Sequence, residues 1–323
     1  MGDKLSVILC TYNGAAHLQS LLDSLARQRR PPDELVVSDD GSRDSTAHLI
    51  AAFAESASFP VRWFEQEKQL GPAANFITAA QHARGEWIAF CDQDDVWHPD
   101  KLTCALAVAQ ECADTSAVFC NARLVDTDGY ALGRTLWQQV AFTPREQEVV
   151  RAGAPWQVLV RHPVVSGAGL LIHARVRDHL APIADQWMHD AWATLIAAAS
   201  GRVLAIAAPL FDYRQHAANV IGARPRRLAD LWQTLHTFDR EIYLETECER
   251  WGALAARVAR LPEGQLKQAT ADAVAAKLAH LRRRRDLPPA RARRWRGVAG
   301  EWRTGGYRRY TKGWQPLLAD LLL

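Results

Sequence analysis

The sequence predicts an α/β protein: a mostly parallel sheet sandwiched by helices, followed by a helical, basic extension. Three observations carry this expectation. Strand-like and helix-like segments alternate from Leu5 to Pro99. Each crossover between parallel strands needs a helix, so such alternation makes a parallel sheet covered on both faces. Three of the strand signals end abruptly in polar clusters, Thr11-Tyr12-Asn13, Asp39-Asp40-Gly41 and Asp92-Gln93-Asp94-Asp95. The charge also changes sign along the chain. Through Gly222, 18 Lys and Arg face 25 Asp and Glu, a balance of −7; beyond it 21 face 11, a balance of +10. The expected division is a domain over 1–222 and a helical, Arg-rich extension over 223–323.

The elements follow in order. Leu5-Ser6-Val7-Ile8-Leu9-Cys10 is a short apolar run and reads as a buried strand. Asn13-Gly14 offers a helix cap, and Leu18, Leu21, Leu22 and Leu25 recur at the spacing of one helix face. Pro31-Pro32 stops that helix. Leu35-Val36-Val37 is a second strand, Leu49, Ile50 and Phe53 mark a second helix, and Val61 to Phe64 is a third strand. Gly71-Pro72 opens a helix with Ala73, Phe76, Ile77 and Ala80 on one side. Trp87 to Cys91 is a fourth strand, and Pro99 suits the first turn of the next helix. Ala117 to Leu124 reads as a further strand, closed by an Asp126-Thr127-Asp128-Gly129 turn. Pro155 to Pro163 has no clear period. Gly169 to Ile172 reads as a strand and Trp187 to Ala199 as a buried helix. Val203 to Ala207 and Leu210 to Tyr213 read as two short strands. From Arg226 the pattern is helical, with breaks at Pro262-Glu263-Gly264 and Pro288-Pro289.

Hydrophobic residues make up 48% of the 323 and charged residues 23%, so a packed core is available and wholesale disorder is excluded. Met1-Gly2-Asp3-Lys4 leads straight into a strand, without the basic and apolar regions of a signal peptide. The longest apolar stretch, Ala193 to Phe211, is broken by Ser200-Gly201-Arg202 and Pro209. A membrane span needs about 20 uninterrupted apolar residues. Six cysteines include no C-x-x-C pair, and most sit in apolar runs as small core residues. The expectation is a reducing, cytoplasmic setting without zinc or disulfides.

In open α/β sheets the ligand sits beyond the carboxyl ends of the strands, so three strands deliver polar residues to one edge. Asp92-Gln93-Asp94-Asp95 packs three carboxylates into four residues. Adjacent anions repel. The cluster is either solvated, with Asp95 or Asp100 capping the next helix, or neutralised by a cation. Its place after a buried strand, facing two other polar strand ends, favours the cation. Hard ions such as Mg²⁺ or Mn²⁺ take oxygen ligands and bridge to a diphosphate. A dinucleotide fold would need G-x-G-x-x-G after the first strand. Cys10 to Ala16 holds one glycine, and no Walker-type G-x-x-x-x-G-K occurs. A diphosphate would then be met by metal and side chains rather than by a backbone cradle.

Three motifs together resemble family 2 glycosyltransferases of the GT-A fold. They are Ser6-Val7-Ile8-Leu9-Cys10-Thr11-Tyr12-Asn13, Val37-Ser38-Asp39-Asp40-Gly41-Ser42 and Asp92-Gln93-Asp94-Asp95-Val96-Trp97. The resemblance spans Lys4 to Gly222. It implies a Rossmann-like mixed sheet sandwiched by helices, and inverting transfer of a sugar from a nucleoside diphosphate sugar, with a divalent metal. By the same resemblance Thr11, Tyr12 and Asn13 hold the nucleoside, and Asp40 accepts a hydrogen bond from the base. Asp92 lies nearer the ribose and Asp94 is the metal ligand. Asp190, in Met188-His189-Asp190-Ala191-Trp192, matches the general base, with an N-cap as its plainer role. In Tyr213-Arg214-Gln215-His216, His216 matches a further metal ligand and Arg214 a partner for the diphosphate. An ordinary loop histidine remains the alternative for His216. His189 is expected to hydrogen-bond the acceptor, Trp187 is an acceptor platform or core, and Asp39 is a turn residue. Asp-Gln-Asp-Asp-Val-Trp, His-Asp-Ala-Trp and Arg-Gln-His-x-x-Asn-Val-x-Gly in combination resemble bacterial rhamnosyltransferases of surface polysaccharide assembly. That implies dTDP-L-rhamnose as donor and a lipid-linked or growing surface glycan as acceptor. The Q-x-x-R-W motif of processive synthases is missing.

Lys277 to Lys312 holds 13 basic residues against Asp286 and Glu301, interleaved with Trp295, Trp302, Tyr307 and Tyr310. Trp314 follows directly. Arginine beside interfacial aromatics suits an anionic membrane surface. A solvated helical face or an oligomer contact is the plainer alternative, and the preceding body disfavours a nucleic-acid partner. Two rival functions stay in view. A nucleotidyltransferase making sugar nucleotides wants a glycine-rich basic loop at Cys10 to Gly14, and none is there. A non-catalytic sugar-nucleotide or membrane-binding module has no need of Asp94, Asp190 and His216 together. The expected location is the cytoplasm, at the inner face of the plasma membrane.

Overall fold

The computed structural model describes residues 3–215, 239–262, 264 and 266–323, which form a nine-stranded sheet with helices on both faces. Strands β1 (Leu5–Thr11), β2 (Glu34–Asp39), β3 (Val61–Glu65) and β4 (Trp87–Asp92) pair in parallel in the order β3-β2-β1-β4. Helices α1 (Ala15–Ala26), α2 (Thr46–Ser56) and α3 (Pro72–His82) make the crossovers. All seven residues of β1 are buried, yet they divide between two cores. Ile8 packs with Val36 and Ile88 on one face; Val7 and Leu9 pack with Leu35 and Val37 on the other. A strand covered on both faces reads as a continuous apolar run, although its side chains still alternate.

Beyond β4 the sheet is mixed. It adds β5 (Val96–Trp97), β6 (Thr115–Val125), β7 (Ala131–Thr135), β8 (Leu170–His173) and β9 (Arg202–Arg214). β8 runs antiparallel between β4 and β6, β9 lies parallel to β6, and β5 pairs antiparallel with β9. The mostly parallel arrangement therefore belongs to the first half of the chain alone. The two short strands expected at Val203 to Ala207 and Leu210 to Tyr213 are one strand. Its pairing jumps from Ile206 opposite Cys120 to Pro209 opposite Asn121. A bulge accommodates Pro209, which has no N–H for the ladder. Helix α4 (Lys101–Ala109) starts later than Pro99 suggests. Asp100 is its N-cap, and the Asp100 carboxylate pairs with Arg29 at 2.7 Å instead of capping.

Short helices α5 (Leu136–Gln139) and α6 (Pro144–Arg151) follow β7, and the segment without a clear period holds α7 (Trp156–Leu159). Thr135 with Gln138 and Thr143 with Glu146 form reciprocal capping boxes at α5 and α6. After α8 (Ala174–Arg177), α9 (His189–Ser200) is buried on almost every side. The C-terminal helices are α10 (Arg240–Val258), α11 (Gln268–Arg285), α12 (Arg291–Arg303), α13 (Gly306–Tyr310) and α14 (Gln315–Leu322). They share a core with α9. The rings of Trp187 and Trp251 meet edge-on at 5.3 Å, and the Thr270 hydroxyl donates to the Ala198 carbonyl at 2.8 Å. His216, and the start of the helical region at Arg226, lie outside the described residues.

The basic tail is less available to a surface than its composition implies. Asp320, fully buried, accepts from Arg240 Nε at 2.8 Å, Arg284 Nε at 2.6 Å and the Tyr307 hydroxyl at 2.6 Å. Arg294 is buried, and Arg283 pairs with Glu301 at 2.7 Å. These arginines lock α14 onto the bundle. Trp295, Trp302 and Trp314 stay exposed, at 57%, 65% and 61%. Among the described residues no helix is long and apolar enough to cross a membrane.

Candidate active site

A cleft of about 400 Å³ opens where β1, β2 and β4 end. Thr11, Tyr12, Asp40, Asp92 and Asp94 line it from those strands, and His189 and Asp190 line it from the start of α9. Segments about a hundred residues apart thus meet in one hollow.

The loop after β1 is braced from two sides. Gln93 reaches across from β4, its Oε1 accepting from the Tyr12 N–H at 2.9 Å and its Nε2 donating to the Tyr12 carbonyl at 3.1 Å. Gly14 makes room for this bridge, since a Cβ there would lie 2.2 Å from Gln93 Oε1. Thr11 Oγ1 donates to Asp39 Oδ1 at 2.6 Å, and Asp39 also accepts from the N–H and hydroxyl of Ser42. Asp39 has the turn role expected of it. Both oxygens of Asp40 accept backbone N–H groups, from Leu70 at 2.7 Å and Gly71 at 2.8 Å, and so hold the entry to α3.

The carboxylates sit in three different environments. Burial, together with the nearby Asp94 and Asp190 charges, pushes Asp92 up to about 7 against the pull of the Ala168 N–H. Asp95 points inward. Its Oδ1 accepts from the Arg214 N–H at 3.2 Å, its Oδ2 is buried with no hydrogen-bond partner among the described residues, and burial raises it well above the usual carboxylate range. Asp190 is 6% exposed and is pushed up to about 6, mainly by burial. The N–H groups of Ala191, at 2.6 Å, and Gly167 oppose that rise and keep the anion accessible near neutrality.

His189 is buried beside it. The imidazole stacks on Phe76 at 4.0 Å and Phe90 at 5.8 Å, and neither ring nitrogen has a partner among the described residues. Burial pulls it down to about 3, so the ring is neutral at working pH. Gly167 closes over it, because a Cβ there would come within 2.4 Å of His189 Nε2.

Three expected residues are placed differently. Arg214 does not line the cleft. Its guanidinium donates to the carbonyls of Asp94 at 3.0 Å and Thr127 at 2.7 Å, bracing the Asp94 backbone and the turn after β6. Asn13 lies outside the lining, with a left-handed φ of 47° and its Oδ1 accepting from Arg43 N–H at 2.9 Å. Trp187 is core: it is 2% exposed and its Nε1 donates to the Arg250 carbonyl at 2.9 Å. The sequence reading missed Gly167 and Ala168, whose N–H groups reach the Asp190 and Asp92 carboxylates, and it missed Gln93 as a bridge. The run Ser166-Gly167-Ala168-Gly169 of small residues was the available signal.

The donor set suits a hard divalent ion. It is made of carboxylate oxygen atoms, their mutual repulsion helps raise Asp92, which a bound cation would reverse, and Asp95 Oδ2 behind it is buried without a partner among the described residues. Among the described residues, no group of three or more His, Cys, Asp and Glu side chains converges on one point. A metal would therefore complete its shell with the ligand's own oxygens or with residues beyond these.

Fold and cleft together define an α/β protein with a carboxylate-lined cleft at the strand ends. Residues 6–158 match the model of glycosyl transferase family 2. An uncharacterised glycosyltransferase of Nostoc sp. is 30% identical over 225 residues, covering 67% of this chain and 66% of its own. An uncharacterised protein of Mycobacterium tuberculosis is 31% identical over 127 residues, 39% of this chain and 37% of that one. The chain thus spans less than two thirds of the length of these relatives. Among solved structures, residues 1–349 of S. aureus TarS in complex with UDP-GlcNAc superpose with a TM-score of 0.58 at 18% identity, over 86% of this chain and 72% of that one. The mannosyltransferase PcManGT of Pyrobaculum calidifontis, in complex with GDP-Man and Mn²⁺, gives 0.55 at 21% identity, over 99% of this chain and 86% of its own.

Proposed function

We propose that the protein is an inverting, metal-dependent glycosyltransferase. It moves a hexose, L-rhamnose from dTDP-rhamnose, to a hydroxyl of a lipid-linked or growing surface glycan. The observation that carries this is the convergence of Asp92 and Asp94 with Asp190 in one cleft. Asp94 would hold Mg²⁺ or Mn²⁺, with Asp92 nearer the ribose, and the sequence resemblance adds His216. When bound, the ion supplies positive charge to the leaving diphosphate. The Tyr12 loop, fixed by Gln93, presents the nucleoside edge. Asp190 takes the proton from the acceptor oxygen as it attacks the anomeric carbon, on the face opposite the diphosphate. A carboxyl near 6 is well matched to that task at neutral pH. The neutral, unpartnered His189 ring offers a hydrogen bond to a sugar hydroxyl while its aromatic neighbours exclude water. The TarS and PcManGT complexes with sugar nucleotides support this class of donor.

The rhamnose assignment rests on the sequence motifs. A thermal-shift panel of nucleoside diphosphate sugars with Mn²⁺ tests it. dTDP-rhamnose should give the largest stabilisation, and a larger shift with UDP- or GDP-sugars would reject rhamnose. The exposed indoles of Trp295, Trp302 and Trp314, beside exposed Arg303 and Arg308, are proposed to touch the anionic inner leaflet, where lipid-linked acceptors reside.

A further inference from the structure

Behind α9 lies a second cavity, of about 360 Å³, walled by the 159–165 segment, α9, α10 and α11. It shares a partition with the donor cleft. Ser166, Gly167 and Met188 to Asp190 face the cleft, while Val164, Val165, Trp187 and Ala191 face the cavity. Arg161, Arg250, Lys277 and Lys312 line it, and among the described residues Glu247 is the one carboxylate in the lining. His162, also in the wall, is held neutral by burial.

The partners of Lys277, Arg250 and Arg161 leave capacity over. Lys277 Nζ donates to the Tyr310 carbonyl at 2.5 Å, a neutral oxygen, and burial pulls Lys277 down to about 8. Lys312 Nζ is already engaged by the Val140 and Ala141 carbonyls at 2.6 and 3.1 Å and by His162 Nδ1 at 3.2 Å, and contributes its charge alone. Arg250 pairs with Glu247 at 3.0 Å and lies 3.9 Å over the Trp187 ring. Arg161 pairs with Glu146 at 3.2 Å. In both arginines Nε is buried with no acceptor among the described residues. Four cations, one lining carboxylate and two unsatisfied N–H donors complement a compact oxyanion.

Two further facts orient the cavity. It continues, through Val160, Arg161, Tyr310 and Lys312, into a wider groove of about 1050 Å³ that adds Arg145, Arg308 and Arg309. On the inner side, the Arg250 charge is felt at Asp190, where it favours the anion. An anionic group bound in the cavity would thus lie across this partition from the residue assigned as base.

We propose that this cavity binds the anionic group of the acceptor, a phosphate or carboxylate carried on a glycan, and so sets the reach of the acceptor hydroxyl to Asp190. The link to catalysis rests on the function proposed above; anion binding itself does not. Calorimetry at constant ionic strength tests it with inorganic phosphate, glycerol 3-phosphate and glucuronate. Wild-type protein should bind one of the two organic anions more tightly than inorganic phosphate. The Arg161→Gln/Arg250→Gln variant should bind it about tenfold or more weakly, with thymidine diphosphate affinity unchanged. Lys277→Gln, which removes one lining charge, should weaken it in the same direction if the double variant does not fold. Asp190→Asn should leave anion affinity intact, which separates this site from the assignment of the base. Equal anion affinity in folded wild type and variants would overturn the site. Tightest binding of inorganic phosphate would overturn the acceptor assignment.

Discussion

Asp190→Asn should move stability and turnover in opposite directions. Burial raises the Asp190 carboxyl from 3.8 to about 6. At about 1.4 kcal/mol per pH unit, keeping it ionised in the fold costs about 3 kcal/mol. The folded pKa lies above the unfolded one, so the folded state binds the proton more tightly. The cost is complete above about pH 6, fades as pH falls below that, and is gone below 3.8. Asparagine is neutral throughout and nearly isosteric. Its carbonyl keeps the 2.6 Å bond from the Ala191 N–H, while its amide nitrogen cannot accept from Gly167, a loss of about 1 kcal/mol. The variant should therefore be about 2 kcal/mol more stable than wild type at pH 7, with the gain vanishing near pH 4.5. Urea unfolding at the two pH values reads this directly. In parallel, turnover should fall about 10²–10⁴-fold, and the wild-type rate should drop as pH falls through about 6. A capping aspartate behaves otherwise, because asparagine caps about as well. Unchanged stability at pH 7 with turnover kept within about tenfold would refute the assignment of Asp190 as a buried base.

Other consequences follow from single contacts. Asp320→Ala leaves Arg240 and Arg284 buried without their counter-charge and should cost about 3–5 kcal/mol, seen as a lower thermal midpoint. Gly167→Ala sets a methyl where His189 Nε2 lies and should raise the acceptor KM more than the donor KM. Trp295→Ala/Trp302→Ala should reduce flotation with anionic vesicles at low salt; equal flotation of folded variant and wild type would remove those indoles from any membrane contact.

Much of this arrangement was legible in the residues. The apolar runs ending in Thr11, Asp39 and Asp92 became adjacent parallel strands, because a strand buried on both faces has no other composition open to it. The polar ends then had to gather at one edge, and Thr11, Asp40, Asp92 and Asp94 do line one cleft. What composition could not show was partnership. Arg214 resembles a diphosphate ligand in sequence, but its guanidinium is engaged by the Asp94 and Thr127 carbonyls, contacts that exist only once β9 lies against β6. Gly167 acts through its backbone N–H, which carries no side-chain signal. Pro209 looked like a strand end because a bulge that tolerates it depends on the partner strand. The Arg-rich tail looked like a surface because Asp320, which pairs with Arg240 and Arg284 from inside, is a lone acid far along the chain.

The central claim is that the cleft at the strand ends holds a nucleoside diphosphate sugar through a metal on Asp94. Titration calorimetry of dTDP-rhamnose into wild type and Asp94→Asn, with Mn²⁺ and then with EDTA, tests it most directly. The account predicts saturable binding by wild type in Mn²⁺, and marked weakening by either the substitution or the chelator. Binding of equal strength in EDTA and Mn²⁺, or unaltered by Asp94→Asn in folded protein, would contradict it.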